Sequence, residues 1–180
     1  TSQKLTLMKT SADSLKKSAD ALNDSSLWEK KKIKKKDEKT GEEIEVEDYD
    51  WDKITKAVKS FVEDYNDVVK EAGESNTKDV LRNASWMTGM TDKNSNMLAK
   101  IGITIGKGNK LELDEDALKQ ADISSLKTVF TGYNSFVSKI SQKATCISNA
   151  ANRASATYTN NGTYSKTDSS LTSSKIDKEV

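Results

Sequence analysis

Leu5, Met8, Ala12, Leu15, Ala19 and Leu22 stand at alternating steps of three and four residues, and this spacing limits the fold more tightly than any other feature of the sequence. It lines one narrow edge of an α-helix, a heptad seam, and predicts a helix from about residue 4 to residue 23. The intervening residues are mostly Lys, Ser and Asp, which cannot cover a second apolar face. The helix must therefore lie against a partner.

The pattern returns twice. Trp51, Ile54, Val58, Phe61, Tyr65, Val68 and Ala72 form a second seam, widened by Ala57, Val62 and Val69 so that it meets two neighbours. Asp50 is placed to cap its start and Gly73 to end it. A third stripe runs through Leu126, Val129, Phe130, Tyr133, Val137, Ile140, Ala144, Ile147, Ala151 and Ala154. It predicts one helix from near Ser124, about 33 residues and roughly 50 Å long. The chain has no proline, the residue that would remove a backbone donor and break such helices. Alanines alternate with larger side chains in the first and last seams, so these two axes can approach to about 8 Å and zip together antiparallel. Leu5, Leu15 and Leu22 with Ile140, Ile147 and Ala151 are the expected contact residues of this trunk, used either between subunits or wholly inside one.

Between the second and third seams the signals are weaker. Asn76 with Asp79 is read as the cap of another helix, whose inward side carries Val80, Leu81, Ala84 and Met87, and less regularly Met90 and Leu98. Gly89 and the polar run from Thr91 to Asn96 predict a break. Ile101, Ile103 and Ile105 then alternate toward a glycine bend, and Leu111 and Leu113 alternate away from it, which is the pattern of a hairpin. Asp114 can cap the short helix that follows through Ala121.

A different hairpin is written in charge. The words "WEKKKIKKK", "DEKTG" and "EEIEVEDY" occupy residues 28 to 49. A turn over Glu38 to Gly41 sets Ile33 opposite Val46, and Lys32, Lys34 and Lys36 opposite Glu47, Glu45 and Glu43. One register pairs both hydrophobes and charges. Each exposed pair adds only ~0.2 to 1 kcal/mol, so the charges mainly select the register. The acidic return argues against a basic nucleic-acid patch.

The fold class is thus mainly α with small β-hairpins (α+β): an elongated antiparallel helical bundle or coiled-coil trunk over residues 1–156, with hairpins at 28–49 and 101–113. Residues 157–180 read as a Ser/Thr-rich tail, with Leu171 and Ile176 its only obvious anchors. Thr1 opens the chain with neither Met nor a charged-then-apolar leader, as in a trimmed chain.

Composition narrows the chemistry. There is no histidine and only one cysteine, which removes His-based acid-base catalysis, Ser-His-Asp and Cys-His constellations, mixed zinc sites and an internal disulfide. Cys146 lies one place off the third seam and has no charged neighbour at helical spacing to make it a thiolate. Lys and Arg total 29 against 28 for Asp and Glu, a balance that gives no reason to expect nucleic acid or an anionic membrane as partner. No apolar run approaches the ~18 residues needed to cross a bilayer.

The stretch "GITIGKGN", residues 102 to 109, lacks both the four-residue spacer and the hydroxyl of a Walker loop, and Leu111 stands where a dinucleotide fingerprint needs its third glycine. Asp114, Glu115 and Asp116 read as an N-cap and first-turn charges favoured by the helix dipole rather than as catalytic acids, and an EF-hand spacing is missing. No catalytic, cofactor-binding or metal-binding residue is predicted, and no enzymatic activity or cofactor.

Three words carry a resemblance. "ITKAVKSFVEDYNDVV" (54 to 69), "LAKIGITIGKGNKLELDEDALKQ" (98 to 120) and "SSLKTVFTG" (124 to 132) resemble the C-terminal region of the bacterial flagellar filament cap family, hook-associated protein 2. They match its F-V-x-x-Y-N helix (Phe61, Val62, Tyr65, Asn66), its I-G-I-T hairpin (Ile101 to Thr104) and its L-x-L-D-E step (Leu111, Leu113, Asp114, Glu115), with Val129-Phe130-Thr131-Gly132 near its L-F-x-G. "SADSLKKSADALNDSSLWEKKKI" is similar to the end of the family's N-terminal helical region. Family members carry large head domains between the two halves, where this chain has only the 28–49 hairpin.

The resemblance implies a secreted structural subunit of a bacterial flagellum, cap-like, self-associating and working with flagellin or other flagellar axial proteins. The alternative is a secreted or surface adhesin on the same trunk. It would use the hairpin tip, Lys39, Thr40 and Gly41, and the tail to contact a host surface or mucin-type ligand.

Overall fold

The computed structural model describes residues 2–164, with side chains through residue 157; Leu171 and Ile176 lie outside the described residues. Helix α1 (Ser2–Leu22) leads through a 3-10 turn (Ser25–Trp28) into strands β1 (Lys31–Lys36) and β2 (Glu43–Asp48). Helices α2 (Trp51–Gly73), α3 (Lys78–Lys93) and α4 (Ser95–Ala99) follow. A second ribbon, β3 (Ile103–Ile105) and β4 (Leu111–Leu113), precedes α5 (Glu115–Gln120), α6 (Ile123–Phe130) and α7 (Phe136–Tyr164). The architecture is mainly helical with two small antiparallel hairpins, as the sequence predicts.

The first seam folds as read. Met8, Ala12, Leu15, Ala19 and Leu22 are buried, and Leu5 is half-buried near the free end of α1. Their partner is α7, which runs antiparallel: Asp20 meets Ser141 and, seven residues earlier on α1 and seven later on α7, Asp13 meets Ser148. The second seam is buried from Ile54 to Ala72, with Trp51 half-buried, and Asp50 caps α2 by accepting the Lys53 N–H at 3.1 Å. Helix α3 closes the bundle against α2 and α7. Tyr65 reaches Thr91 on one side, and on the other Lys143 Nζ sits 4.4 Å from the Trp86 ring centre.

Several expectations need correction. The third stripe is two helices, because the chain breaks between Phe130 and Phe136 and Gly132 takes φ +104°. Tyr133, expected on the stripe, is 90% exposed in that break. Leu81 is 40% exposed: α3 fills its inward row with Val80, Ala84, Met87 and Thr91, and the Thr91 hydroxyl is satisfied by donating to the Met87 carbonyl. Thr77, not Asn76, holds the N-cap position of α3 without a side-chain capping hydrogen bond, and Ser75 Oγ accepts the Thr77 N–H. Helix α7 continues to Tyr164, beyond Ala156.

The first ribbon keeps the expected pairings, and the second forms the expected hairpin. Ile33 faces Val46 and Lys32, Lys34 and Lys36 face Glu47, Glu45 and Glu43; Ile103 faces Leu113 and Ile105 faces Leu111. The second ribbon is shorter than residues 101–113, since Ile101 and Gly102 form the turn that leads into it.

Candidate functional site

The side chains of this chain build joints. Where α1 ends, Asn23 Nδ2 donates to the Gly132 carbonyl at 3.2 Å, and the Gly132 N–H donates back to Asn23 Oδ1 at 2.9 Å. One side chain thus satisfies both backbone groups of the residue at which the third stripe breaks. Beside it the Trp28 indole N–H donates to Leu22 O at 2.7 Å, and the ring stacks on Phe130 with centres 5.6 Å apart. Phe61 packs edge-on against Phe130 and Phe136. The end of α1, the middle of α2, the end of α6 and the start of α7 therefore meet in one aromatic knot.

A second joint fixes the second hairpin. Asn66 Nδ2 donates to Leu111 O at 3.0 Å, and Leu111 N–H donates to Asn66 Oδ1 at 2.7 Å. One residue away on α2, the Tyr65 hydroxyl donates to Thr91 Oγ1 at 2.9 Å; burial pushes the Tyr65 pKa up to about 12 although that hydrogen bond works against it. The turn behind the ribbon needs glycine. Gly102 has φ +92°, and a Cβ there would lie 2.7 Å from the Asp114 carbonyl oxygen. Asp114 N–H donates to Gly102 O at 2.8 Å, and its side chain caps α5 through the Ala117 N–H at 3.1 Å.

Along the trunk a motif repeats with the heptad. Lys9, Asp13 and Ser148 form one triad and Lys16, Asp20 and Ser141 the next. Partial burial alone would raise the pKa of each aspartate, but the hydrogen bonds from lysine and serine outweigh it and hold both carboxyls below the usual value. Of the six trunk candidates, Leu15, Leu22, Ile140, Ile147 and Ala151 are completely buried within the single chain. Leu5 is half-buried and borders an open hollow of about 350 Å³ with Met8, Glu71 and Ala154. The hairpin tip residues Lys39, Thr40 and Gly41 are exposed, and Gly41 takes a positive φ of +75° in the turn.

The acids considered in the sequence do not converge on a reaction centre. Asp114 is the α5 cap, and Glu115 lies 3.9 Å from Lys59. Among the described residues no group of three or more Cys, Asp or Glu side chains could hold a metal ion, and no helix is long and apolar enough to cross a membrane. Cys146 is half-buried on α7.

The joints at Asn23 and Asn66 escaped the sequence reading because a lone asparagine on a helix flank breaks no periodicity. The available signal for Asn66 was its place in the F-V-x-x-Y-N word.

A family model described as the flagellar hook-associated protein 2 C-terminus matches residues 73–179, more than half of the 180-residue chain. Comparison with curated proteins and with solved structures gave no match. The matched region contains α3, both strands of the second ribbon and the break at Gly132. The first region of the chain grips it at Leu111 through Asn66 and at Gly132 through Asn23.

Proposed function

We propose, from the premise that the chain belongs to the flagellar hook-associated protein 2 family, that it is a cap-like structural subunit of a bacterial flagellum-like extracellular assembly and assists the addition of filament protein. The family match carries this reading. The side chains support it: hydrogen-bonding and aromatic groups tie the helices to one another at the Asn23 and Asn66 joints and in the aromatic knot. Its partners are further copies of itself and filament subunits, and its working place is outside the cell. Because five of the six trunk residues are buried inside one chain, copies meet through other surfaces. The trunk acts as a rigid post that presents the first hairpin at one end.

The test is genetic and biochemical. Cells lacking the protein should release filament subunits into the medium as unassembled monomer, and restoring the protein should return them to filaments. Normal filaments in its absence would remove the assembly role.

A further inference from the structure

The first ribbon is a sheet of two strands only, so the outer edge of each is unpaired among the described residues. Such a ribbon is marginal by itself. Its turn decides which backbone groups face outward. Asp37 N–H donates to Glu42 O at 2.7 Å and Gly41 N–H donates to Asp37 O at 2.8 Å, a bulged turn that makes Asp37 and Glu42 a hydrogen-bonding pair. Bonding and non-bonding pairs alternate along an antiparallel ladder. In this register Lys36 with Glu43, Lys34 with Glu45, and Lys32 with Glu47 are the non-bonding pairs. Their N–H and C=O groups point away from the ribbon, the lysines' from one edge and the glutamates' from the other. All six residues are exposed.

We propose that this ribbon is a contact between copies of the chain, in which the lysine edge of β1 adds antiparallel to the glutamate edge of β2 on the next copy. The charges select that occupant. Outward-facing residues must pair with outward-facing residues, so β1 against β2 sets lysine beside glutamate on one face, in the direct register or slipped by two. A β1 to β1 contact would set lysine against lysine, and β2 to β2 glutamate against glutamate. Both like pairings repel, which leaves the unlike one.

A single charged edge only guards against stray pairing; two opposite edges on one ribbon exclude like partners and admit the unlike. On the other face Ile33 comes beside Val46 of the next copy, and the 40% exposed Ile44 is covered. Since two different edges meet, the contact is head-to-tail and closes into a ring or continues as a strand of subunits. The inference rests on the self-association in the proposed function, but not on where in the cell the assembly sits.

The test uses the full chain with Cys146→Ser. Lys34→Cys is mixed under oxidation with Glu43→Cys, Glu45→Cys or Glu47→Cys. Paired outward residues lie about 5.5 Å apart, within disulfide reach. The mixture should give disulfide-linked dimers with at least one glutamate position, about tenfold above either chain alone, the ratio expected when like edges repel by the energy of roughly one lost hydrogen bond. No excess over the single chains would overturn the proposal.

A second variant, Lys34→Pro, removes an outward N–H and leaves the ribbon's own bonds intact. It should weaken association about tenfold by sedimentation velocity with unchanged circular dichroism, and added salt should weaken the parent protein likewise. Undiminished association of Lys34→Pro overturns the proposal while leaving the cap-like reading standing. Edge cross-links in a protein absent from flagella would do the reverse.

Discussion

Asn66 and Leu111 are 45 residues apart and share two hydrogen bonds, of 3.0 and 2.7 Å, between one side chain and both backbone groups of the other residue. The second ribbon is only three residue pairs long, so this clamp is a large part of what holds it on α2. Asn66→Ala should cost about 1 to 3 kcal/mol, the penalty for leaving part-buried backbone groups unpaired. Amide exchange at Leu111 should rise more than exchange in α1. Unchanged protection at Leu111 would mean the clamp is incidental.

Two glycines should respond with opposite signs. Gly132 holds φ +104° with open space where a Cβ would go, so Gly132→Ala suffers from backbone strain alone and should lose about 1 to 2 kcal/mol. Gly89 lies inside α3, also with open space around a built Cβ. Gly89→Ala should gain about 0.5 to 1 kcal/mol, because glycine is the poorer helix former. Chemical denaturation of the two variants reads both.

Thr55 carries the one buried side-chain polar atom without a hydrogen-bond partner among the described residues. Thr55→Val keeps the shape and removes the orphaned hydroxyl, and is expected to stabilise by about 1 kcal/mol. A loss of stability on urea titration would point to a partner for that hydroxyl.

Asp13 and Asp20 give the trunk an acid limit. Their folded pKa values lie below the usual 3.8, so they contribute stability above that value and lose it as pH falls through the lower folded values. Asp64 has the opposite sign: burial first, then the nearby Asp67 and Glu63 charges, raise its pKa, and protonation relieves the folded state. Asp13→Asn with Asp20→Asn should flatten the fall in stability below pH about 4, and Asp64→Asn should raise stability at neutral pH. Melting curves taken across that range separate the two.

What the sequence disclosed follows from periodicity. The α1 seam and the lysine-to-glutamate register were both readable, because side-chain spacing alone determines which residues share a face. The break before α7 was hidden by the same logic. Leu126, Val129, Phe130, Val137 and Ile140 keep helical spacing across Gly132, so the stripe looks continuous although the backbone turns. Leu81 is apolar but follows Val80 by one residue, about 100° round the helix, and so leaves the inward row of Val80, Ala84, Met87 and Thr91, where the Thr91 hydroxyl is satisfied by Met87 and Tyr65. The asparagine clamps are long-range partnerships of single polar residues, and no local pattern announces them.

Antibody labelling of intact flagellated cells, resolved to filament tip, filament shaft and cell body, tests the central claim most directly. A cap-like subunit should be found at the tip of each filament and in the sheared filament fraction. Label confined to the cell body, with none on filaments, would contradict it.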